Sequence, residues 1–176
     1  KNMKTTILIA LVLSVELLSS APVQAQGTLA LSNLGQPSVT DGYVASDSWL
    51  AVSFITGTNS GGYSLDSIQL LMNSASGNPG SLTVSLLLGD PFSNHGISPV
   101  ILNGSANPLS PGIYTYTASG INLFAYATYT VMLTTTTPMA TGAYNWSAGA
   151  TGWTSPQDWG YYLSYRSSDN GLNWGI

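Results

Sequence analysis

The sequence predicts an all-β fold, an antiparallel β-sandwich of jelly-roll type, behind an N-terminal signal peptide. Two observations carry the β prediction. Runs of strand length alternate apolar and polar residues, and clusters of Gly, Asn, Ser and Pro separate them. Glycine accepts positive φ without a steric penalty, and the other three favour turns through local bonding or a fixed φ. A third observation is negative: no stretch after the leader combines a helical period with capping residues.

The elements follow in chain order. Lys1 and Lys4 precede the apolar run 7–15 (ILIALVLSV), and Val23-Gln24-Ala25 places small residues where signal peptidase cuts. The run is shorter than the ~20 residues a membrane span needs. Residues 1–25 therefore read as a secretory signal and 26–176 as one domain. Residues 28–34 (TLALSNL) read as a first strand, and 35–47, with Pro37 and Asp41-Gly42, as a loop. In 49–56, Leu50, Val52 and Phe54 share one face while Trp49, Ala51 and Ser53 share the other, the period of a half-buried strand. In 63–73 the parity slips: Tyr63 and Leu65 are odd-numbered, whereas Ile68, Leu70 and Met72 are even. A bulge near Asp66-Ser67 would absorb that slip.

Leu82, Val84, Leu86 and Leu88 alternate with Thr83 and Ser85. Residues 89–96 read as a loop, and 97–102 as a weaker strand ending in the turn dipeptide Asn103-Gly104. Beyond a loop with Pro108 and Pro111, strands are expected at 113–118, 121–124, 127–137, 144–147 and 159–167.

Charge narrows the partners. Cleavage after Ala25 removes Lys1, Lys4 and Glu16, leaving Arg166 against six aspartates, a net of −5. A polyanion needs a basic face, so nucleic acid is excluded as a partner. The chain has no cysteine. A domain of this length buries roughly two-thirds of its unfolded surface and needs no disulfide staple.

The catalytic inventory is thin. The single histidine, His95, lies in a Pro/Asn/Gly loop with no Gly-x-Ser-x-Gly elbow elsewhere, so a serine-type nucleophile lacks its setting. A glycosidase needs two carboxyl groups ~5–9.5 Å apart. Asp41 and Asp47, the nearest pair in sequence, would stand about 20 Å apart on extended chain. One histidine without cysteine forms no His/Cys metal site. No cofactor is expected beyond a structural calcium, for which Asp41-Gly42 and Ser168-Asp169-Asn170-Gly171 offer oxygens without EF-hand spacing. The second stretch also reads as a hairpin turn.

Aromatic residues crowd the chain from Tyr144 onward. Trp153, Trp159, Tyr161 and Trp174 are the candidate glycan-binding residues, since flat rings stack on sugar faces while amides take the hydroxyls. Trp159 and Tyr161 share a strand face, and Trp153 sits in a Gly/Thr/Ser loop. The competing reading is core, because large aromatics dominate sandwich interiors.

Several segments together carry a family pattern: the run from Asn33-Leu34-Gly35 through 49–56 and on to 86, Gly112-Ile113-Tyr114-Thr115-Tyr116-Thr117, Thr128-Tyr129-Thr130-Val131, Thr141-Gly142-Ala143-Tyr144-Asn145-Trp146 and 167–174. The whole resembles the choice-of-anchor R domain, a family of exported bacterial surface proteins. The resemblance implies envelope or extracellular location, often through a PEP-CTERM-type sorting segment, and brings no catalytic residues. The sequence reaches Gly175-Ile176 without such a segment, so truncation or release is expected. The expectation is a non-catalytic exported or cell-surface module with a structural, adhesive or extracellular-matrix role. A carbohydrate-binding module is the alternative, with extracellular polysaccharide or other surface proteins as partners, and membrane contact only through the signal or an anchor. An outer-membrane barrel is a third, weaker reading, since alternating strands also suit one.

Overall fold

The computed structural model describes residues 27–92, 98–104, 107–149 and 152–176. The signal-peptide reading and His95 lie outside them. Ten strands are present among the described residues, with no helix: β1 (Ser38–Val44), β2 (Trp49–Ile55), β3 (Tyr63–Gly77), β4 (Leu82–Leu88), β5 (Val100–Ile101), β6 (Asn103–Gly104), β7 (Gly112–Leu123), β8 (Thr128–Thr135), β9 (Gly142–Gly149) and β10 (Gly160–Ser167). They form two five-stranded antiparallel sheets, β1-β9-β3-β7-β6 (sheet I) and β10-β2-β8-β4-β5 (sheet II). From β1 to β4 and again from β7 to β10, each strand joins the sheet opposite its predecessor's. That alternation is the double Greek key of a jelly roll, with β10 added at one edge. Two separate sheets set aside the barrel reading.

The alternation seen in sequence becomes the sandwich interior. Leu50, Val52 and Phe54 of β2 pair with Leu133, Val131 and Tyr129 of β8, which pair in turn with Val84, Leu86 and Leu88 of β4. Across from them stand Leu70, Met72, Tyr116, Leu123 and Tyr144 of sheet I. Tyr144, fully buried, donates from its hydroxyl to the Gly80 carbonyl at 2.5 Å. The Tyr116 hydroxyl is buried without a hydrogen-bond partner. Burial, and then the neighbouring Tyr144 and Tyr114, push it up to about 12, so it stays a neutral phenol. On the outer face of sheet II a smaller cluster joins Ala51, Met132 and Tyr165 to Trp49, Leu87, Leu163 and Trp174. Beside it the Ser53 and Thr130 hydroxyls, both fully buried, bond each other at 2.5 Å.

The sandwich is closed on one side and open on the other. On the closed side β5 pairs with β4 in sheet II and β6 with β7 in sheet I, so residues 100–104 cross between the layers. Buried Leu102 is the pivot, its N–H bonded to the Val84 carbonyl at 2.9 Å. On the open side β1 and β10 end their sheets, and, among the described residues, 27–36 run alongside, with Ala30 and Leu31 packed against the core and the segment held by reciprocal Ser32·Thr154 backbone bonds.

Several expectations are corrected. Residues 28–34 are not a strand: apart from that one bridge they are irregular, and Leu29 is 53% exposed. The expected loop 35–47 contains β1, whose short polar residues give little strand signal and whose pairing is supplied by β9. Asn103-Gly104 is strand rather than turn, because it pairs with Thr117 and Tyr116 of β7, and Gly104 lets the Tyr116 ring lie where a Cβ would fall within 2.3 Å of it. The two short segments 113–118 and 121–124 are one strand, β7, carried across Gly120 at φ +72°. The bulge in β3 falls between Leu65 and Ser67, where the parity slips.

Removing the Tyr144 hydroxyl isolates one interior bond. Tyr144→Phe is expected to lower stability by about 1 kcal/mol, the usual net value of such a bond, seen as an earlier urea midpoint at unchanged slope.

Candidate functional site

The open side is where the chain has room for a ligand. Register places the β2–β3, β7–β8 and β9–β10 connections at one end of the sandwich, since Ile55 pairs with Thr128 and Gly160, and Tyr63 with Leu123. There Trp159 lies face to face with Phe54, 5.5 Å between centroids at 10°, while Tyr63 meets it edge-on at 4.9 Å and 77°. Gly57 permits this packing. A Cβ there would come within 2.2 Å of the Gln157 carbonyl oxygen and 3.0 Å of the Trp159 ring. The Trp159 indole N–H is buried without a hydrogen-bond partner.

Next to this stack a cleft of about 970 Å³ enters between the sheets. Its walls are Leu50, Val52, Leu65 and Ile68, all facing inward yet only half-buried, whereas Val84, Leu86 and Leu133 on the closed side are buried. Its rim carries Gln36, Asn59, Gln157, Ser164 and the carboxylate Asp66. Trp153 and Tyr161 stand there as a parallel pair, 5.0 Å apart at 9°, with Tyr161 39% exposed.

The four sugar-platform candidates therefore separate. Trp153 and Tyr161 are brought together at the rim. Trp159 shares their side of the sheet but is only 8% exposed, one ring face covered by Phe54, and belongs to the core. Trp174 lies on the far face of sheet II, 6.5 Å from Trp49. The expectation that Trp159 and Tyr161 form the platform is corrected: Tyr161 stacks on Trp153 instead. Two exposed aromatics escaped the sequence reading, Phe124 and Tyr126 in the β7–β8 turn, at 67% and 73% exposure. Tyr126 adopts φ +52°, costly for a bulky residue, and its N–H bonds the Gly57 carbonyl at 3.1 Å. Their only signal was a pair of aromatics in a short inter-strand turn.

Four of the six aspartates accept hydrogen bonds from nearby backbone N–H or side-chain amide groups. Asp41 accepts from the Asn73 amide at 2.6 Å and the Asn145 amide at 3.3 Å. Asp47 accepts from the Met139 N–H, and Asp90 from the Phe92 N–H, both at 2.9 Å. Asp169 accepts from the Asn173 N–H and amide and from the Ser167 hydroxyl, closing the turn that returns Gly175 to pair with Arg166. Those bonds, Asn173 first, hold the Asp169 carboxyl below its ordinary value. Its folded form being the more acidic, the turn's contribution is complete above the ordinary carboxylate range and fades as pH falls through the depressed value. No group of three or more His, Cys, Asp or Glu side chains able to hold a metal occurs among the described residues.

Trp159 and Trp153 should respond differently to truncation. Trp159→Ala should cost roughly 3–5 kcal/mol, as buried aromatics do, and Trp153→Ala less than about 1 kcal/mol, both read from denaturant midpoints.

No protein-family model, curated protein or solved structure matches the chain.

Proposed function

We propose that the chain is a non-catalytic exported or cell-surface β-sandwich module with a structural, adhesive or extracellular-matrix role, akin to the choice-of-anchor R proteins it resembles. The observation that carries this reading is the use made of the acidic side chains. Asp41, Asp47, Asp90 and Asp169 each accept bonds from neighbouring backbone or amide groups, the work of turns and strand ends rather than of acid–base chemistry. The basic n-region and apolar run before Ala25 support export. The low, acidic charge argues against nucleic acid and for neutral polysaccharide or other surface proteins as partners.

A second reading, a carbohydrate-binding module, is favoured by one feature: the parallel Trp153–Tyr161 pair beside the amides of Gln36 and Gln157. A ring pair fixed this way offers a flat apolar surface with hydrogen-bonding groups beside it.

One assay addresses both. Incubation with a panel of glycans and esters should show no turnover. Turnover abolished by a single Asp or His95 substitution would refute the non-catalytic reading. Affinity electrophoresis through neutral polysaccharide gels should show retardation that Trp153→Ala and Tyr161→Ala remove. No retardation, or retardation indifferent to both substitutions, would end the carbohydrate reading.

A further inference from the structure

The cleft is more than a place for a sugar ring. We propose that it binds an uncharged single-chain amphiphile, with an apolar chain in the slot between the sheets and a hydroxyl-rich neutral head at the rim. The head-group half of this assignment rests on the carbohydrate reading above; the chain half stands on the slot alone.

The slot is apolar where it is deep. Leu50 and Val52 of β2 and Leu65 and Ile68 of β3 line it with Phe54 and Val131, and Ala30, Leu31 and Leu34 of the segment along the open edge complete the apolar wall. On β8 and β4 the same inward positions are buried, so the sheets meet there and part here. Half-covered Leu, Val and Ile side chains facing a concavity lose apolar hydration when a chain slides between them, and each added methylene deepens that burial. The cleft's volume, about 970 Å³, is at the upper end of what small-ligand sites use, roughly 300–1,000 Å³.

The rim sets the head group. Gln36 and Gln157 supply amides, Ser164 a hydroxyl that already meets the Tyr161 hydroxyl at 3.0 Å, and the Trp153–Tyr161 pair a flat apolar surface, while the Asn59 amide is spent on closing its own turn with Gly61 and Gly62. No lysine, arginine or histidine lines the cleft among the described residues, and Asp66 is its one carboxylate. A carboxylate or phosphate head would meet Asp66 with no cation to offset it, whereas hydroxyls find donors and acceptors. Fatty-acid anions are therefore the wrong class, and a neutral glycosylated chain the right one.

Titration of the protein's tryptophan fluorescence with alkyl maltosides, kept below their micelle-forming concentrations, tests this directly. Octyl and decyl maltoside should bind saturably at one site. The longer should bind about tenfold more tightly, since each methylene contributes roughly three- to fourfold. Maltose should bind at least about a hundredfold more weakly than decyl maltoside, and decanoate at least about tenfold more weakly. Ile68→Trp, which fills the slot, should remove the chain-length dependence. If that variant fails to fold, the chain-length series on the unaltered protein decides alone. Maltose binding as tightly as decyl maltoside would overturn the slot while leaving the carbohydrate reading standing. Decanoate binding as tightly as decyl maltoside would overturn the head-group assignment. The absence of saturable binding by any alkyl maltoside would overturn the whole.

Discussion

The stack of Trp159 on Phe54, with Tyr63 against its edge, is the contact on which both halves of the molecule depend. It ties the residue that leads into β10 to β2 of sheet II and to the first residue of β3 in sheet I. On its inner side it ends the packed core that runs through Tyr129 and Leu123. On its outer side it forms part of the cleft wall, with the rim pair Trp153–Tyr161 beyond it. Trp159, touching Phe54 on its face and Tyr63 at its edge, brings three large rings together. Large rings bury more apolar area than aliphatic side chains, and the stacked and edge-on arrangement adds modestly to that. Besides this stack the described part of the β9–β10 connection is held by the Ser32·Thr154 bridge, the Trp153–Tyr161 stack and the Ser155 hydroxyl accepting from the Trp159 N–H.

A chain with so few charges must satisfy its polar groups by hydroxyls and amides. It does so in compact pairs: Ser53 with Thr130 under the outer cluster of sheet II, Ser38 with Ser147, and Asp41 with two asparagines on the exposed face of sheet I. The same economy leaves Arg166 as the one lysine or arginine among the described residues, too little for a polyanion. It also leaves aromatic rings as the groups most able to grip a partner, and they gather at the end of the sandwich beside the cleft.

Much of the fold was legible because a half-buried strand writes itself as alternation. β2, β4 and β8 sit where Leu50-Val52-Phe54, Leu82 to Leu88 and Tyr129-Val131-Leu133 said they would. The β3 bulge announced itself as a parity change at Leu65. β1 was hidden because an edge strand of Ser, Thr, Asp and Gly takes its structure from its neighbour. Residues 28–34 misled in the opposite way, offering alternation with no free partner strand. The cleft was not legible at all. Alternation says that Val52 and Leu86 both face inward, yet only the opposing sheet decides that one is half-covered and the other buried. Ring partners were equally out of reach: Tyr161 and Trp159 share a face, but loop geometry gave Tyr161 to Trp153.

The central claim is that the layers are sealed beside β4–β6 and parted beside β2 and β10. The chain contains no cysteine, so single cysteines report position cleanly. The most direct measurement is the alkylation rate of Val52→Cys against Val84→Cys under native conditions, with a small neutral reagent. An open slot predicts that Val52→Cys reacts in the folded state, far faster than Val84→Cys, which must wait for unfolding. Equal, unfolding-limited protection at both positions would contradict it.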